Sequence, residues 1–172
     1  IKDDTILDIV VNGAGRCFSA GFDMKESAAR GTSGEAEWRD LLTKDFDFIM
    51  QFWNAPKPTI AAAHRYCIGG AMELLMACDL AVAGETTRFG EPEVRFGSGI
   101  VAMLAPYVIG PKHAKELLLT GNDKITADRC YQMGILNQVV ADGKEMEAAL
   151  ELANQIVSAA PRSVQMTKAA IH

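Results

Sequence analysis

The sequence has no excess of positive charge and no long apolar run. Its 17 lysines and arginines stand against 22 aspartates and glutamates, which gives a formal net charge of −5. A protein that binds nucleic acid through the phosphates needs a basic stripe, so we expect no nucleic-acid partner. No apolar run reaches the roughly 18–20 residues that span a bilayer, and no basic segment precedes an apolar core at the start. We therefore expect neither a membrane segment nor a signal peptide.

Cysteine is scarce and widely spaced, and no CxxC pair is present. This pattern favours reduced thiols in a cytoplasmic protein over a disulfide framework or a zinc site. The three histidines show no metal-ligand spacing, so no metal is expected. The sequence also contains no GxSxG elbow, P-loop or GxGxxG fingerprint. The four cysteines are Cys17, Cys67, Cys78 and Cys130.

What the sequence does contain is typical of a globular protein, with 49% apolar and 23% charged residues. Residues 1–172 suit a single domain. The chain opens at Ile1 without an initiator methionine and stops at His172 within a stretch of helical composition. We therefore expect it to be part of a longer chain.

Short apolar segments alternate with segments of helical spacing, which predicts an α/β fold with parallel strand pairing. Residues 64–70 are predicted to form a turn, and Thr126 is predicted to cap a helix that Gly134 closes. The predicted strands are 6–11, 59–63, 79–83 and 138–140. The predicted helices are 35–53, 70–77, 101–109, 112–119, 126–133, 146–157 and 163–170.

Two segments, 11–25 and 61–76, share an order of strand, glycine-containing turn and helix. Such turns expose backbone N–H groups, and a helix N-terminus adds about half a positive charge. Two N–H groups aimed at one point form an oxyanion hole. Glycines of this kind can equally serve only to let the chain turn, and composition does not decide between the two interpretations.

Two glutamates stand near these features. Glu73 lies three residues after Gly70 among apolar neighbours, so it either supports the helix N-terminus or is partly buried as an acid or base. Glu93 follows Glu91-Pro92 in a predicted loop, where a solvated surface position is the alternative. Two glutamates are a weak signal in a chain with 22 acidic residues.

Taken together, the motifs resemble the enoyl-CoA hydratase/isomerase (crotonase) superfamily. The resemblance covers nearly the whole chain, and residues 114–121, 125–127 and 134–140 also fit it. It implies a spiral of ββα repeats, assembly into trimers that often pair into hexamers, and further strands before and helices after this segment. The motifs are 13–25 (GAGRCFSAGFDMK), 57–62 (KPTIAA), 68–74 (IGGAMEL), 78–80 (CDL) and 89–93 (FGEPE).

The resemblance also implies a CoA thioester as substrate, without a separate cofactor. It assigns the backbone N–H groups of Phe22 and Gly70 to the thioester oxygen and makes Glu73 and Glu93 the catalytic glutamates. The segment that continues from Phe22 would contact CoA through Asp23, Met24 and Lys25. The implied reaction is the addition of water to a 2-enoyl-CoA. The alternatives are an enoyl-CoA isomerase and a catalytically silent protein that binds CoA esters.

Three positions depart from the pattern of the family. Arg65 and Ala71 stand where the family often has glycine. Val101 lies where a Pro-Gly-rich turn is usual, and a backbone group there helps to hold the catalytic water of hydratases. This departure keeps the isomerase alternative open.

Overall fold

The computed structural model describes residues 3, 5–23, 25, 29, 31 and 33–171, and these form two sheets surrounded by helices. The strands are β1 (Ile9–Asn12), β2 (Thr59–Ala63), β3 (Tyr66–Ile68), β4 (Leu80–Gly84), β5 (Arg88–Gly90), β6 (Ile125–Thr126) and β7 (Gln138–Val140). One sheet has the order β1-β2-β4-β7 and is entirely parallel. The other has the order β3-β5-β6, in which β3 and β5 are parallel and β5 and β6 are antiparallel.

Six α-helices lie within the described residues, and one 3-10 helix spans Glu93–Phe96. None of these helices is both long and apolar enough to cross a membrane. The α-helices are α1 (Glu35–Trp53), α2 (Gly70–Ala77), α3 (Ala105–Thr120), α4 (Ala127–Met133), α5 (Glu145–Val157) and α6 (Pro161–Ile171).

The chain repeats one unit, in which successive strands enter different sheets before a helix follows. β2 and β3 precede α2, and β4 and β5 precede the 3-10 helix. Ser19, downstream of β1, forms an isolated parallel bridge with Cys67 of β3, so the first turn follows the same path. The predicted α/β class, the parallel pairing and the ββα spiral are confirmed.

The core lies on both faces of the larger sheet. All five residues of β2 are buried, with Ile60 and Ala62 on one face and Ala61 and Ala63 on the other. The first pair packs in a cluster with Ala149 of α5, while the second pair belongs to the main core with residues of α2. Small side chains let helices approach a sheet that is covered on both sides, which explains the alanine-rich strand.

Several predicted boundaries are correct. The helix over 35–53, the strands over 59–63 and 138–140 and the short helix closed by Gly134 all form as expected. The Thr126 hydroxyl accepts a hydrogen bond from the Arg129 backbone N–H at 3.2 Å, and Gly134 has a left-handed backbone with φ 87°.

Other boundaries are wrong. The strand predicted over 6–11 begins only at Ile9, and the turn predicted over 64–70 contains β3. The smaller sheet was not predicted, because strands of two or three residues carry no periodic signal. The predicted helix over 101–109 starts only at Ala105, and it forms part of α3, which is interrupted at Gly110.

Candidate active site

The N-terminus of α2 lies where the smaller sheet ends. Ile68 of β3 pairs with Gly90 of β5, and the Gly69 N–H donates to the Gly90 carbonyl at 2.8 Å. Gly69 has φ 61° and ψ −134°, a conformation that side chains strongly disfavour, and it turns the chain directly into α2. Gly70 is therefore the first residue of the helix, where the backbone N–H has no partner within the helix.

The other strand-turn-helix segment, 11–25, brings Phe22 against Gly70. Gly21 has φ 92°, and a Cβ placed on it would lie 3.3 Å from the Gly70 nitrogen. A Cβ placed on Gly70 would lie 2.4 Å from Cε2 of Phe22. The backbone N–H groups of Phe22 and Gly70 donate to no other described residue. Two glycines thus let two separate turns approach closely, beside a cavity of about 210 Å³ that both Phe22 and Gly70 line.

Glu73 lies one helical turn into α2 and is 1% exposed. Its Oε1 accepts a hydrogen bond from the Val101 N–H at 3.0 Å, and its Oε2 accepts one from the Ala102 N–H at 2.5 Å. Burial raises the pKa of Glu73 above its ordinary value, these two donors oppose that rise, and the charges of Glu93 and Asp45 add to it. The predicted burial of this glutamate is correct, and its carboxylate is fixed at both oxygens.

Glu93 opens the 3-10 helix after β5 and is half-buried rather than fully solvated. A Cβ placed on Gly69 would lie 2.3 Å from Oε1 of Glu93, so the carboxylate lies directly against that glycine. Its Oε2 is buried and has no hydrogen-bond partner among the described residues. Glu93 thus lies against the residue that precedes α2 and Glu73 lies in the first turn of α2, so both carboxyls belong to one cluster beside the N-terminus of this helix.

A third carboxyl belongs to the same cluster. Glu91 is 1% exposed, and neither of its oxygens has a hydrogen-bond partner among the described residues. Burial raises the pKa of Glu91 well above its ordinary value, and the charges of Glu73 and Glu93 and the adjacent Glu93 carboxyl raise it further. The sequence interpretation treated Glu91 only as the start of a loop. Its position directly after the buried Phe89-Gly90 strand was the signal that could have identified it.

The structure places the remaining predicted residues as follows. Asp23 and Lys25 are exposed, and the Lys25 N–H donates to Oδ1 of Asp23 at 2.9 Å. Met24 lies outside the described residues. The structure therefore brings Phe22, Gly70 and the glutamate pair together.

The departures from the family pattern have structural consequences. Arg65 has φ 58°, which explains why glycine is suited to this position. Val101 has no such conformation, so its backbone fits without strain, and its N–H donates to Glu73. Ala71 is accommodated in α2 with 4% exposure. Sequence reasoning assigned the Val101 backbone to a water and missed the donor role of Ala102.

A larger cavity of about 700 Å³ lies elsewhere, between the C-terminal part of α2, β4, α3 and α6. The residues that line it include Trp53, Tyr107 and Ile171, together with the ion pair between Lys168 and Asp79 at 2.6 Å. None of the carboxyls of the cluster lines it. Size alone therefore does not identify the chemical site.

Comparisons with known proteins agree on one family. The sequence profile of the enoyl-CoA hydratase/isomerase family matches residues 1–172. Carnitinyl-CoA dehydratases of Salmonella typhi and Escherichia coli (strain K12) are each 35% identical to the chain over 173 aligned residues, with 97% of the chain covered. The chain spans 64% of the length of these curated relatives.

Two crystal structures are similar in three dimensions. An enoyl-CoA hydratase/isomerase from Xanthobacter autotrophicus Py2 has a TM-score of 0.96 at 45% identity, covering 99% of this chain and 63% of that one. An enoyl-CoA hydratase from Bacillus anthracis has a TM-score of 0.90 at 31% identity, covering 99% of this chain and 66% of that one.

Proposed function

Since the chain belongs to the enoyl-CoA hydratase/isomerase family, we propose that the complete protein hydrates a 2-enoyl-CoA, or dehydrates the corresponding 3-hydroxyacyl-CoA. One observation carries this proposal. The carboxyls of Glu73 and Glu93 lie beside the N-terminus of α2, where Phe22 packs against Gly70.

The two backbone N–H groups would bind the thioester oxygen. Addition of a nucleophile at C3 sends negative charge to this oxygen as an enolate. Donors that are already in place stabilise that charge without reorganising, and the N-terminus of α2 adds a favourable dipole. Losing one such donor typically costs about 3–4 kcal/mol of transition-state stabilisation. The segment of Asp23, Met24 and Lys25 would bind CoA next to this site.

The two glutamates would handle the protons. One carboxylate orients water and takes its proton while oxygen bonds to C3, and the other, protonated, delivers a proton to C2. Two interacting carboxyls hold a single proton readily, because the charge of one disfavours ionisation of the other.

A specific observation supports the isomerase as a second candidate. An isomerase moves a proton between C2 and C4 and needs no bound water. The Val101 N–H, which would be free to bind water in a hydratase, donates to Glu73. Hydration stays the first proposal because two carboxyls are present and because relatives are carnitinyl-CoA dehydratases, whose named reaction removes water.

The test is to give the complete protein a 2-enoyl-CoA and a 3-enoyl-CoA separately in ¹⁸O-labelled water. Hydration places the label at C3 of the product from the 2-enoyl substrate, and it removes the absorbance of the conjugated thioester. Migration of the double bond in the 3-enoyl substrate, with no label from either substrate, would make the protein an isomerase. Binding of both substrates without any turnover would make it a silent binder of CoA esters.

The assembly into trimers or hexamers stays a prediction that rests on the family resemblance, and the cytoplasmic location stays a prediction that rests on the cysteine pattern. Light scattering of the complete protein measures the first, and fractionation of the source cells measures the second.

A further inference from the structure

The proposed mechanism uses two of the three carboxyls and leaves Glu91 without a role. Glu91 is as fully buried as Glu73, yet among the described residues it has no backbone donor, whereas Glu73 has two. A buried carboxylate without a donor or a cation is costly, and the group then takes up a proton instead. The buried carboxyl of Glu91 must therefore be neutral and needs a hydrogen-bond partner.

The neighbouring carboxyl supplies the missing partner. Oε2 of Glu93 and both oxygens of Glu91 are buried and have no hydrogen-bond donor among the described residues, and the adjacent Glu93 carboxyl helps to raise the pKa of Glu91. Two ionised carboxylates have no hydrogen to share, so a bond between them requires a proton on one of them. The more buried of the two holds the proton more readily, and that group is Glu91.

This bond would decide which oxygen of Glu93 faces the reaction. Glu91 follows β5 on the strand that pairs with β3, so it leaves the sheet beside Gly69. Oε1 of Glu93 lies against Gly69, at the start of α2. A donor on Oε2 stops the carboxylate from rotating and directs its free oxygen to the side where Gly70 lies.

We propose that Glu91 is a positioning residue: its carboxyl carries a proton, donates a hydrogen bond to Oε2 of Glu93, and keeps Oε1 of Glu93 available for proton transfer with the substrate. The positioning role depends on the proposed function, whereas the protonated state of Glu91 and its bond to Glu93 do not.

The donor exists only while Glu91 is neutral. The titratable side chains that face Glu91 are Glu73 from α2, Glu93 from the 3-10 helix and Cys67 from β3. Burial raises the pKa of the Cys67 thiol well above its ordinary value, so this thiol stays neutral beside the carboxyls. When the pH rises through the elevated pKa of Glu91, its proton is lost, the bond breaks and a second negative charge appears beside Glu93. Activity should therefore fall on the alkaline side.

The kinetic experiment compares two substitutions in the complete protein. Glu91→Gln keeps a donor of the same shape without a titrating proton, so kcat should stay within about threefold and the alkaline fall should shift or vanish. Glu91→Met removes the donor and keeps an unbranched side chain, so kcat should drop about 10- to 100-fold with KM little changed. Equal activity of the Met and Gln variants would overturn the proposal. A Gln variant as impaired as the Met variant would also overturn it, because Glu91 would then transfer protons itself.

An infrared measurement tests the protonated state independently of turnover. At neutral pH the wild-type protein should show the carbonyl band of a buried protonated carboxylic acid, and Glu91→Gln should lose it. Glu85→Gln is the matched control. Because Glu85 is exposed, this substitution should leave the band unchanged. A spectrum without a Glu91-dependent band would overturn the proposal. If the protein turns over no enoyl-CoA but shows the band, the proposed function fails while the bond between the carboxyls stands.

Discussion

Gly69 offers a sharp test of the site, because one added methyl group reaches a reacting carboxylate. A Cβ at this position would lie 2.3 Å from Oε1 of Glu93, whereas ordinary contacts begin at 3.4 Å. Gly69→Ala should therefore push the oxygen away by about 1 Å, a displacement that typically costs on the order of 100-fold in rate. The φ of 61° also disfavours alanine, so we expect stability to fall by about 1–3 kcal/mol.

The matched control is Gly110→Ala. Gly110 interrupts α3 with φ 71° and ψ 164°, another conformation that favours glycine, but a Cβ there meets nothing within 4 Å. Both variants should lose similar stability in thermal unfolding, while only Gly69→Ala should lose kcat in the enoyl-CoA assay. If folded Gly69→Ala turns over substrate as fast as Gly110→Ala, Glu93 does not act from the position described.

Three further predictions concern the remaining groups. Glu73→Gln and Glu93→Gln should each lower kcat by roughly 100-fold or more with KM little changed, and the double variant should be hardly worse in steady-state assays. In a Phe22→Ala background, which removes the ring that a Cβ on Gly70 would strike, Gly70→Ala should stay active. In the same background, Gly70→Pro should lower kcat roughly 100- to 1,000-fold, because proline fits the first helical position but lacks the N–H. Equal kcat values for the alanine and proline variants would refute the donor assignment. Arg65→Gly should stabilise the protein by about 0.5–1 kcal/mol in urea unfolding by relieving its left-handed backbone, and a loss of stability would contradict this.

Much of the larger sheet and its helices could be predicted from local pattern alone. The helix over Glu35–Trp53 has apolar residues at helical spacing, and the alanine-rich Thr59–Ala63 strand is short and apolar from Ile60 onward. The smaller sheet was not predicted, because its strands have no local pattern of their own. Its strands are so short that they are defined by pairing across the fold rather than by their own residues.

The helix predicted to start at Val101 shows how a distant partner overrides local preference. Apolar residues there suggested a helix, but the backbone N–H groups of Val101 and Ala102 donate to the buried carboxylate of Glu73. A buried carboxylate without donors is expensive, so satisfying Glu73 outweighs one more helical turn. No pattern within residues 101–109 contains that information.

The sequence by itself determined the α/β class and the two glycine-containing turns, because these follow from local spacing along the chain. Its ordered motifs identified the family, and the resemblance to that family supplied the candidate residues Phe22, Gly70, Glu73 and Glu93. Only the tertiary structure decided that Glu91 joins the two glutamates and that Gly69 lies against Glu93. The burial of a carboxyl and the donors that reach it depend on every element that surrounds it. The protonation of these glutamates is therefore determined by the packing of β3, β5 and α2 together.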